Sequence, residues 1–474
     1  MCPASDARRP TTVGILANGF ADPYSLKIAH AAAQELARSG SHCLFFGAGF
    51  PQAPLFRNDQ DSVALPGGID AWLLLGEMLR DSLGDVMVAV RSVPRAVTIG
   101  FDLPTLPSVG ADAETGIFQA VMHLAKRHER RKIAFIAGPE GSSDARNRLG
   151  AYRMAMESVG LFADPALIVS GDFEARSGRE AIRQLQRQRK FDAVVAANDM
   201  MALGALDGLK AVGMRVPQDV SVVGYDDTEE AGFSSPGLTT VRQPLIDIGT
   251  AAARYALDGA HSDAIESEPI VVPSPLVIRE SCGCQSSDER RTLPPGVDAT
   301  RTLELREDAL RELVRRELAN SRAHRELERL AENIVRSSDF PSLARVMSGV
   351  LELLGLKRLM LCTYAGGLRH ARVALESTGR DVVFHHQSQP FPVEELFPRG
   401  FLRGEKPAQI AVEPLEFADE HFGYLVLEGD LRQGLAYLTL RRYLGCTVAR
   451  MAHGRELRRL YAAEKQRRSE GEQR

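Results

Sequence analysis

Short, continuously apolar segments alternate with segments of helical periodicity from Thr12 to about Ser281, and this alternation constrains the fold more than any other feature. Strands that are apolar on both faces belong in parallel sheets covered by helices on both sides. About nine such units are too many for one small sheet. We therefore predict an α/β fold of two doubly wound parallel-sheet lobes, divided near Val109–Gly110, with a cleft between them. The main predicted strands are 13–17, 42–46, 71–75, 96–99, 133–137, 167–170, 193–197 and 220–224.

The sequence changes character after residue 284. Residues 285–300 are polar and contain Pro and Gly, which predicts a linker. Arg301–Ser337 lacks both and repeats Leu at helical spacing, which predicts a long amphipathic helix. This helix forms either a two-stranded coiled coil in a dimer or a helix packed on its own domain. Residues 339–436 predict a small α+β domain with a mostly antiparallel sheet, and 437–474 predict a charged C-terminal helix.

Charge and hydropathy exclude several classes of protein. The chain has 474 residues and a formal net charge of −4, so nothing in bulk draws it to nucleic acid or to an anionic membrane. It contains no apolar run of the roughly 18 residues that a transmembrane helix needs, and no signal-peptide core near the N-terminus. Six Cys in a chain of this length fit a reducing compartment. We expect a cytoplasmic protein without membrane contact.

The motifs of catalysis and metal binding are largely missing from the sequence. Cys282-Gly283-Cys284 lacks the second ligand pair that a structural zinc site needs, so we expect no metal site there. His385-His386 has no carboxylate or Cys at ligand spacing and predicts a surface pair. No phosphate-binding Gly loop, G-x-S-x-G elbow or Cys/His nucleophile arrangement occurs. We therefore expect neither an enzyme nor a cofactor.

Polar and aromatic residues follow several predicted strands, where open α/β lobes bind their ligands. Carboxylates and amides exchange hydrogen bonds with hydroxyls, Arg binds a pair of oxygens, and aromatic faces cover the apolar side of a ring. This combination predicts a small, hydroxyl-rich ligand. The alternative is that Asp22, Asn198 and Asp199 only cap helices. The residues that follow the predicted strands in this way are Asp22, Tyr24, Arg148, Asn198-Asp199 and Tyr225-Asp226-Asp227.

The stretch from Thr12 to Ser281 resembles the sensor core of the lac repressor/galactose repressor (LacI/GalR) family, which shares the type I fold of periplasmic binding proteins. The resemblance rests on motifs that occur in order along the chain. It implies ligand contacts at Asp22 and Tyr24 of DPY, Arg148 of RLGAY, Asn198 of ANDMMALG and Asp226 of GYDD, with Phe101-Asp102 as a weaker candidate. These motifs are TVGILANGFADPY, LPSVGADAETGIFQAVMHLAKRHERRKIAFIAGP, RLGAYRMAM, VVAANDMMALGAL, and VPQDVSVVGYDDTEEAGFSSPGLTTVRQP followed by LVIRES.

The same resemblance implies a hinge-bending receptor, usually dimeric, with its hinge at chain crossings near Val109, Gln243-Pro244 and Val272-Pro273. Family repressors place a helix-turn-helix unit roughly sixty residues long before the first sensor strand. Only eleven residues precede Thr12, so we expect no N-terminal DNA readout. The domain after the long helix is similar in outline to GAF-type sensor domains. Such arrays often lead to a diguanylate cyclase or kinase output, but no GGDEF-like sequence, kinase His box or ATP loop is found.

These observations predict a cytoplasmic, non-enzymatic sensor that binds a small polar ligand, sugar-like in character. Ligand binding would be passed through the long helix to the GAF-like domain and to an output protein. One alternative is a regulator that acts on DNA, either through a separate DNA-binding partner or through its Arg-rich C-terminal helix, which otherwise is a solvated signalling helix. A second alternative is the input half of a signalling enzyme whose output domain is missing.

Overall fold

The computed structural model divides into two compact units. Of the described residues, the first unit contains those within 10–109, 246–258, 268 and 325–471, and the second contains those within 110–245 and 269–284. The boundary between them falls between Val109 and Gly110, where the sequence predicts the division of the lobes. The structure describes residues 10–17, 23–47, 49–76, 82–91, 93, 95–103, 105–188, 190–258, 268–284, 325–378, 381–385, 388–398, 400–402, 406–430 and 434–471, with side chains except at 188, 434–435 and 455–471.

The first unit begins with a parallel sheet of five strands in the order β5-β4-β3-β1-β2. Its central strands are fully buried, as their continuous apolar sequence requires. Trp72 fills the layer next to Gly14, where a Cβ atom would lie 2.7 Å from the indole ring. The elements are β1 (Thr12–Leu16), α1 (Pro23–Arg38), β2 (His42–Phe46), β3 (Ala71–Leu75), α2 (Leu83–Val90), β4 (Ala96–Ile99) and β5 (Ser108–Ala111).

The second unit contains a six-stranded sheet in the order β12-β10-β9-β8-β6-β7. All neighbours are parallel except β12, which runs antiparallel to β10. This doubly wound arrangement is the α/β lobe that the sequence predicts. The elements are α3 (Ala113–Arg127), β6 (Ile133–Ala137), α4 (Ser143–Ser158), β7 (Ile168–Ser170), α5 (Ala175–Gln188), β8 (Ala193–Ala196), α6 (Asp199–Ala211), β9 (Ser221–Asp226), α7 (Glu229–Phe233), β10 (Thr239–Arg242), β11 (Ile270–Val272) and β12 (Leu276–Val277).

The C-terminal part of the first unit is an α+β arrangement with the antiparallel strand order β17-β18-β13-β14-β15, and β16 pairs with β14. This is the architecture predicted for residues 339–436. Helix α8 (Leu245–Leu257) lies between β10 and β11 in the chain and packs on α1. The elements of the C-terminal part are α9 (325–336), α10 (Phe340–Leu354), β13 (Arg358–Tyr364), β14 (His370–Thr378), β15 (Asp381–Phe384), β16 (Phe391–Pro392), β17 (Gln409–Phe417), β18 (Glu420–Glu428) and α11 (Gly434–Gly471).

The C-terminal sheet continues the N-terminal sheet of the same unit. Strand β17 pairs in parallel with β2, with Ile410 opposite Leu44. Cys43 N donates to Ala408 O at 2.9 Å, and Ala408 N donates to Nδ1 of His42 at 3.1 Å. One apolar core runs through both parts. The sequence analysis describes these as separate domains, whereas the structure places them within one compact unit.

Helix α9 is the described part of the long amphipathic helix predicted over 301–337. Its apolar stripe is buried within the first unit, with Leu327 and Ile334 fully covered. Thr447 Oγ1 on α11 donates to Ile334 O at 3.2 Å, so α9 packs on its own unit. This favours own-domain packing for 325–336. The coiled-coil alternative concerns residues 301–324, which lie outside the described residues, as does the predicted linker 285–300. Among the described helices, none is both long and apolar enough to cross a lipid bilayer.

Candidate functional site

Arg148 lies on α4 near the carboxyl end of β6 and is 4% exposed. Its guanidinium donates to Ala197 O at 2.7 Å and to Asp144 at 3.1 Å. The same group lies over the ring of Tyr225, 3.9 Å from the ring centre. A cation this deeply buried needs several such partners to offset its lost hydration. Arg148 is therefore fixed in place at the rim of the second unit.

Asn198 follows β8 and caps helix α6. Its side-chain oxygen accepts from Met201 N at 2.9 Å, and its amide nitrogen donates to Phe173 O at 2.8 Å. Asn198 is therefore the N-cap of α6, which is the part of the helix-cap alternative that the structure shows. A ligand contact by Asn198 stays a prediction.

Asp199 is fully buried at the first position of α6. One carboxylate oxygen accepts from Thr240 Oγ1 at 2.6 Å, and the other accepts from Thr228 N at 2.8 Å. Burial, together with the neighbouring charge of Asp226, raises the pKa of Asp199 to about 7. Asp199 thus links α6 to the loop after β9 and to β10, rather than serving as the N-cap.

Asp226 is the last residue of β9 and has a positive φ of 127°. Gln243 Nε2 donates to its carboxylate at 2.6 Å. Burial raises the pKa of Asp226 to about 6, against the opposing effect of the Arg148 guanidinium. Positive φ is uncommon for residues other than Gly, and such backbones often occur at functional sites.

Asp227 also has a positive φ, of 57°. Its carboxylate pairs with Arg279 at 2.5 Å and with Arg242 at 2.6 Å. The backbone is therefore not extended at Asp226 and Asp227, and their two carboxylates engage different partners.

Tyr24 lies in the first unit, at the second position of α1, and is half-buried. A Cβ atom on Gly100 would lie 3.4 Å from the Tyr24 hydroxyl, which places that hydroxyl at the carboxyl end of β4. Phe101 is buried and Asp102 is exposed. Asp22 lies outside the described residues, so the structure does not place it.

The structure brings three predicted residues to one edge of the second unit. Arg148, Asn198 and Asp226 lie at or just beyond the carboxyl ends of the adjacent strands β6, β8 and β9. Tyr225 follows the predicted strand 220–224 but is not among the candidate ligand-binding residues, and Gln243 was predicted only at a chain crossing. In the structure Tyr225 stacks against Arg148, and Gln243 donates to Asp226.

Four further side chains converge elsewhere in the second unit, namely His123, His128, Cys282 and Cys284. The sequence argument that the Cys pair lacks a second ligand pair is wrong, because His123 on α3 and His128, which directly follows α3, provide two imidazoles. The two His residues stand far from the Cys pair in the chain and carry no motif of their own.

The comparisons with known proteins place this geometry in context. Residues 121–282 match a family model described as a periplasmic binding protein-like domain. The HTH-type transcriptional repressor CytR of Escherichia coli K12 is 35% identical over 216 residues, which are 45% of this chain and 62% of that protein. The HTH-type transcriptional regulator CelR of Thermobifida fusca is 42% identical over 164 residues, which are 34% of this chain and 48% of that protein.

Among solved structures, a CelR–cellobiose complex is 31% identical, covers 58% of this chain and 85% of that chain, and has a TM-score of 0.48. The chain thus spans less than two thirds of the CytR and CelR relatives it matches. Residues 121–282 thus match a periplasmic binding protein-like domain, and part of the chain is similar to HTH-type transcriptional regulators.

Proposed function

We propose that residues 12–284 form a receptor for a small polyhydroxylated ligand of the sugar class. The observation that carries the proposal is the group formed by Arg148, Tyr225 and Asp226 at one sheet edge. It combines a cation stacked on an aromatic ring with a carboxylate at the end of a parallel strand. Sugars need hydrogen-bond donors and acceptors, which Arg148 and Asp226 provide, and Tyr225 holds Arg148 in place. A cellobiose complex of the similar regulator CelR supports the choice of ligand class.

The rim residues have distinct roles in this proposal. Arg148 donates to ligand oxygens and is held by Ala197 O and Tyr225, so little side-chain entropy is lost when a ligand binds. Asp226 accepts from ligand hydroxyls when it is ionised. Ligand contacts by Asp22 and Tyr24 and the hinge-bending of the lobes, which the resemblance implies, stay predictions.

Binding is tested by thermal unfolding of the full chain against a panel of monosaccharides, disaccharides and nucleosides. A ligand present at 100 times its Kd adds about 2.7 kcal/mol to the folded state, which raises the melting temperature. We expect this rise to be lost in Arg148→Ala and Asp226→Ala. Arg146→Ala is the matched control, because Arg146 lies on the same helix but is exposed and donates only to Glu140 O and Gly141 O.

Two results would contradict the binding proposal. One is a panel in which no compound shifts the melting temperature of the wild-type chain. The other is a ligand-induced shift that survives in both Arg148→Ala and Asp226→Ala. Far-UV circular dichroism of each variant establishes that it is folded before its response is compared.

We also propose that the ligand signal reaches the C-terminal α+β domain, which we take to be GAF-like, and that this domain engages an output protein. The β2–β17 pairing supports a route through the sheet, besides the long helix, since it joins the sensor lobe to that domain by backbone hydrogen bonds. The protein would act as a homodimer in this proposal, as the resemblance implies.

A second candidate function is regulation of transcription through DNA. The names of the matched relatives favour it, because they are HTH-type repressors or regulators. The C-terminal helix favours it less. Arg441 pairs with Glu413 and Glu416, and Arg450 donates to backbone carbonyls of Val335 and Ser337, so both side chains serve the fold. A gel-shift titration with DNA at two salt concentrations tests this function. Tight binding that weakens steeply with salt would favour it, because Arg contacts to phosphates depend strongly on salt.

A further inference from the structure

We propose that His123, His128, Cys282 and Cys284 form a binding site for a single Zn²⁺ ion that holds the end of the sensor domain against helix α3. All four ligand atoms lie within 4.8 Å of one another. His123 is on α3, and His128 is the residue that ends this helix. Cys282 ends a short 3₁₀ turn at Glu280–Cys282, and Cys284 follows it. The site therefore joins two segments that are distant in the chain.

The distances between the ligand atoms fit tetrahedral zinc. With Zn–N bonds of about 2.05 Å and Zn–S bonds of about 2.3 Å, two tetrahedral nitrogens lie about 3.3 Å apart and a nitrogen lies about 3.6 Å from a sulfur. In the structure, the Nε2 atoms of His123 and His128 are 3.1 Å apart. His123 Nε2 is 3.3 Å from Cys282 Sγ and 3.6 Å from Cys284 Sγ. His128 Nε2 is 3.4 Å from Cys284 Sγ.

The chemistry of the ligands selects the ion. Two thiolates and two neutral imidazoles carry two negative charges, which Zn²⁺ cancels, so the loaded site is neutral. This matters because Cys282 is fully buried and Cys284 is 9% exposed. Sulfur and imidazole ligands in a tetrahedral arrangement favour zinc over magnesium or calcium. Four protein ligands leave no open position, which indicates a structural site rather than a catalytic one.

The backbone around the site is arranged to hold the ligands. Gly283, between the two Cys residues, has a φ of 112°, and a Cβ atom there would lie 3.0 Å from Nδ1 of His128. Only Gly suits this backbone and this contact. Ser221 Oγ donates to Cys282 O at 2.7 Å and accepts from Arg130 Nε at 3.0 Å. These contacts fix the loop to β9 and to the segment after α3.

The test is the metal content of the full chain, purified without chelators, reduced, and reconstituted with Zn²⁺. We expect one zinc per chain by elemental mass spectrometry, and a cobalt-substituted form with thiolate-to-metal charge-transfer absorption. Cys282→Ser combined with Cys284→Ser should lower the metal content to near zero. Cys446→Ser is the matched control and should keep the full content, because Cys446 lies outside the cluster.

Wild-type protein that binds no zinc after reduction and reconstitution would overturn the proposal, as would full metal content in the double Cys variant. If the double variant fails to fold, His128→Gln provides the second test. It should weaken zinc retention against a competing chelator at least tenfold and remove the tetrahedral cobalt spectrum, whereas unchanged retention would again contradict the site. Neither result depends on whether the sensor binds a sugar.

Discussion

Helices α5 and α6 lie so close together that one added methyl group at the contact should push them apart. A Cβ atom on Gly178 would lie 2.0 Å from Met201 O, and one on Gly204 would lie 1.9 Å from Ala175 O. Both opposing atoms belong to the backbone, so no side chain can rotate away. Met201 N is also the donor to the Asn198 cap, so the contact supports the rim of the candidate site.

The loss of stability expected for Gly178→Ala can be estimated from these distances. Ordinary contact begins near 3.4 Å, so the helices must open by about 1.4 Å. Overpacking of this kind costs about 1–3 kcal/mol or more. The higher intrinsic helix propensity of Ala over Gly offsets up to about 1 kcal/mol of this cost. We expect a net loss of about 2 kcal/mol for Gly178→Ala, which lowers the melting temperature of the second unit by about 4–8 °C.

Gly150→Ala is the control for the glycine prediction. Gly150 lies on α4 with no atom within 4 Å of its would-be Cβ, so Ala there should stabilise the unit by up to about 1 kcal/mol. The assay is calorimetry with native-state hydrogen exchange at α5 and α6 amides, because the single Trp lies in the first unit. Equal effects of the same sign from Gly178→Ala and Gly150→Ala would refute the contact argument.

Each unit contains a buried carboxyl group that should make the unit less stable as the pH rises. An ordinary paired carboxylate has the reverse effect, because its pKa is lowered in the folded state. The folded-state pKa of Asp199 is raised to about 7, so its contribution to stability is fully present below about pH 4 and is lost as the pH rises through 7. Hydrogen exchange should therefore show a less stable second unit at pH 8 than at pH 5 in the wild type, and a smaller difference in Asp199→Asn. Equal differences in the two proteins would contradict the role of Asp199. Glu413 is fully buried in the first unit, and burial raises its pKa to about 7 although Arg441 opposes the shift. The free energy of unfolding of the first unit, measured with urea and Trp72 fluorescence, should therefore fall between pH 5 and pH 8. Glu413→Gln should reduce this fall, and an unchanged fall would show that Glu413 does not cause it.

Local patterns were sufficient to predict most of the fold. The strands at 42–46, 71–75, 96–99 and 133–137 are present with the predicted bounds, because each is a short apolar run buried on both faces. The candidate rim residues could be found for a related reason. Polar residues in the sequence mark where a strand ends and the next helix begins. Arg148, Asn198 and Asp226 therefore lie at or just beyond the carboxyl ends of strands, as the sequence predicts.

The features that sequence patterns missed all depend on pairing between distant parts of the chain. Strand β17 is antiparallel to β18 but parallel to β2, and neither residue composition nor alternation specifies which edge a strand will join. The His residues of the zinc proposal stand 156 and 159 positions from their Cys neighbours. Separations of this size leave no local spacing from which a ligand set could be deduced.

The junction of β2 with β17 has a consequence for how the protein matures on the ribosome. His42 and its partner Ala408 are 366 residues apart, so strand β2 is made long before the strand that completes its outer edge. At elongation rates of roughly 5–20 residues per second, that interval is about 20–70 s. During that time the outer edge of β2 has unpaired amide and carbonyl groups, which can pair with strands of other chains until β17 is made.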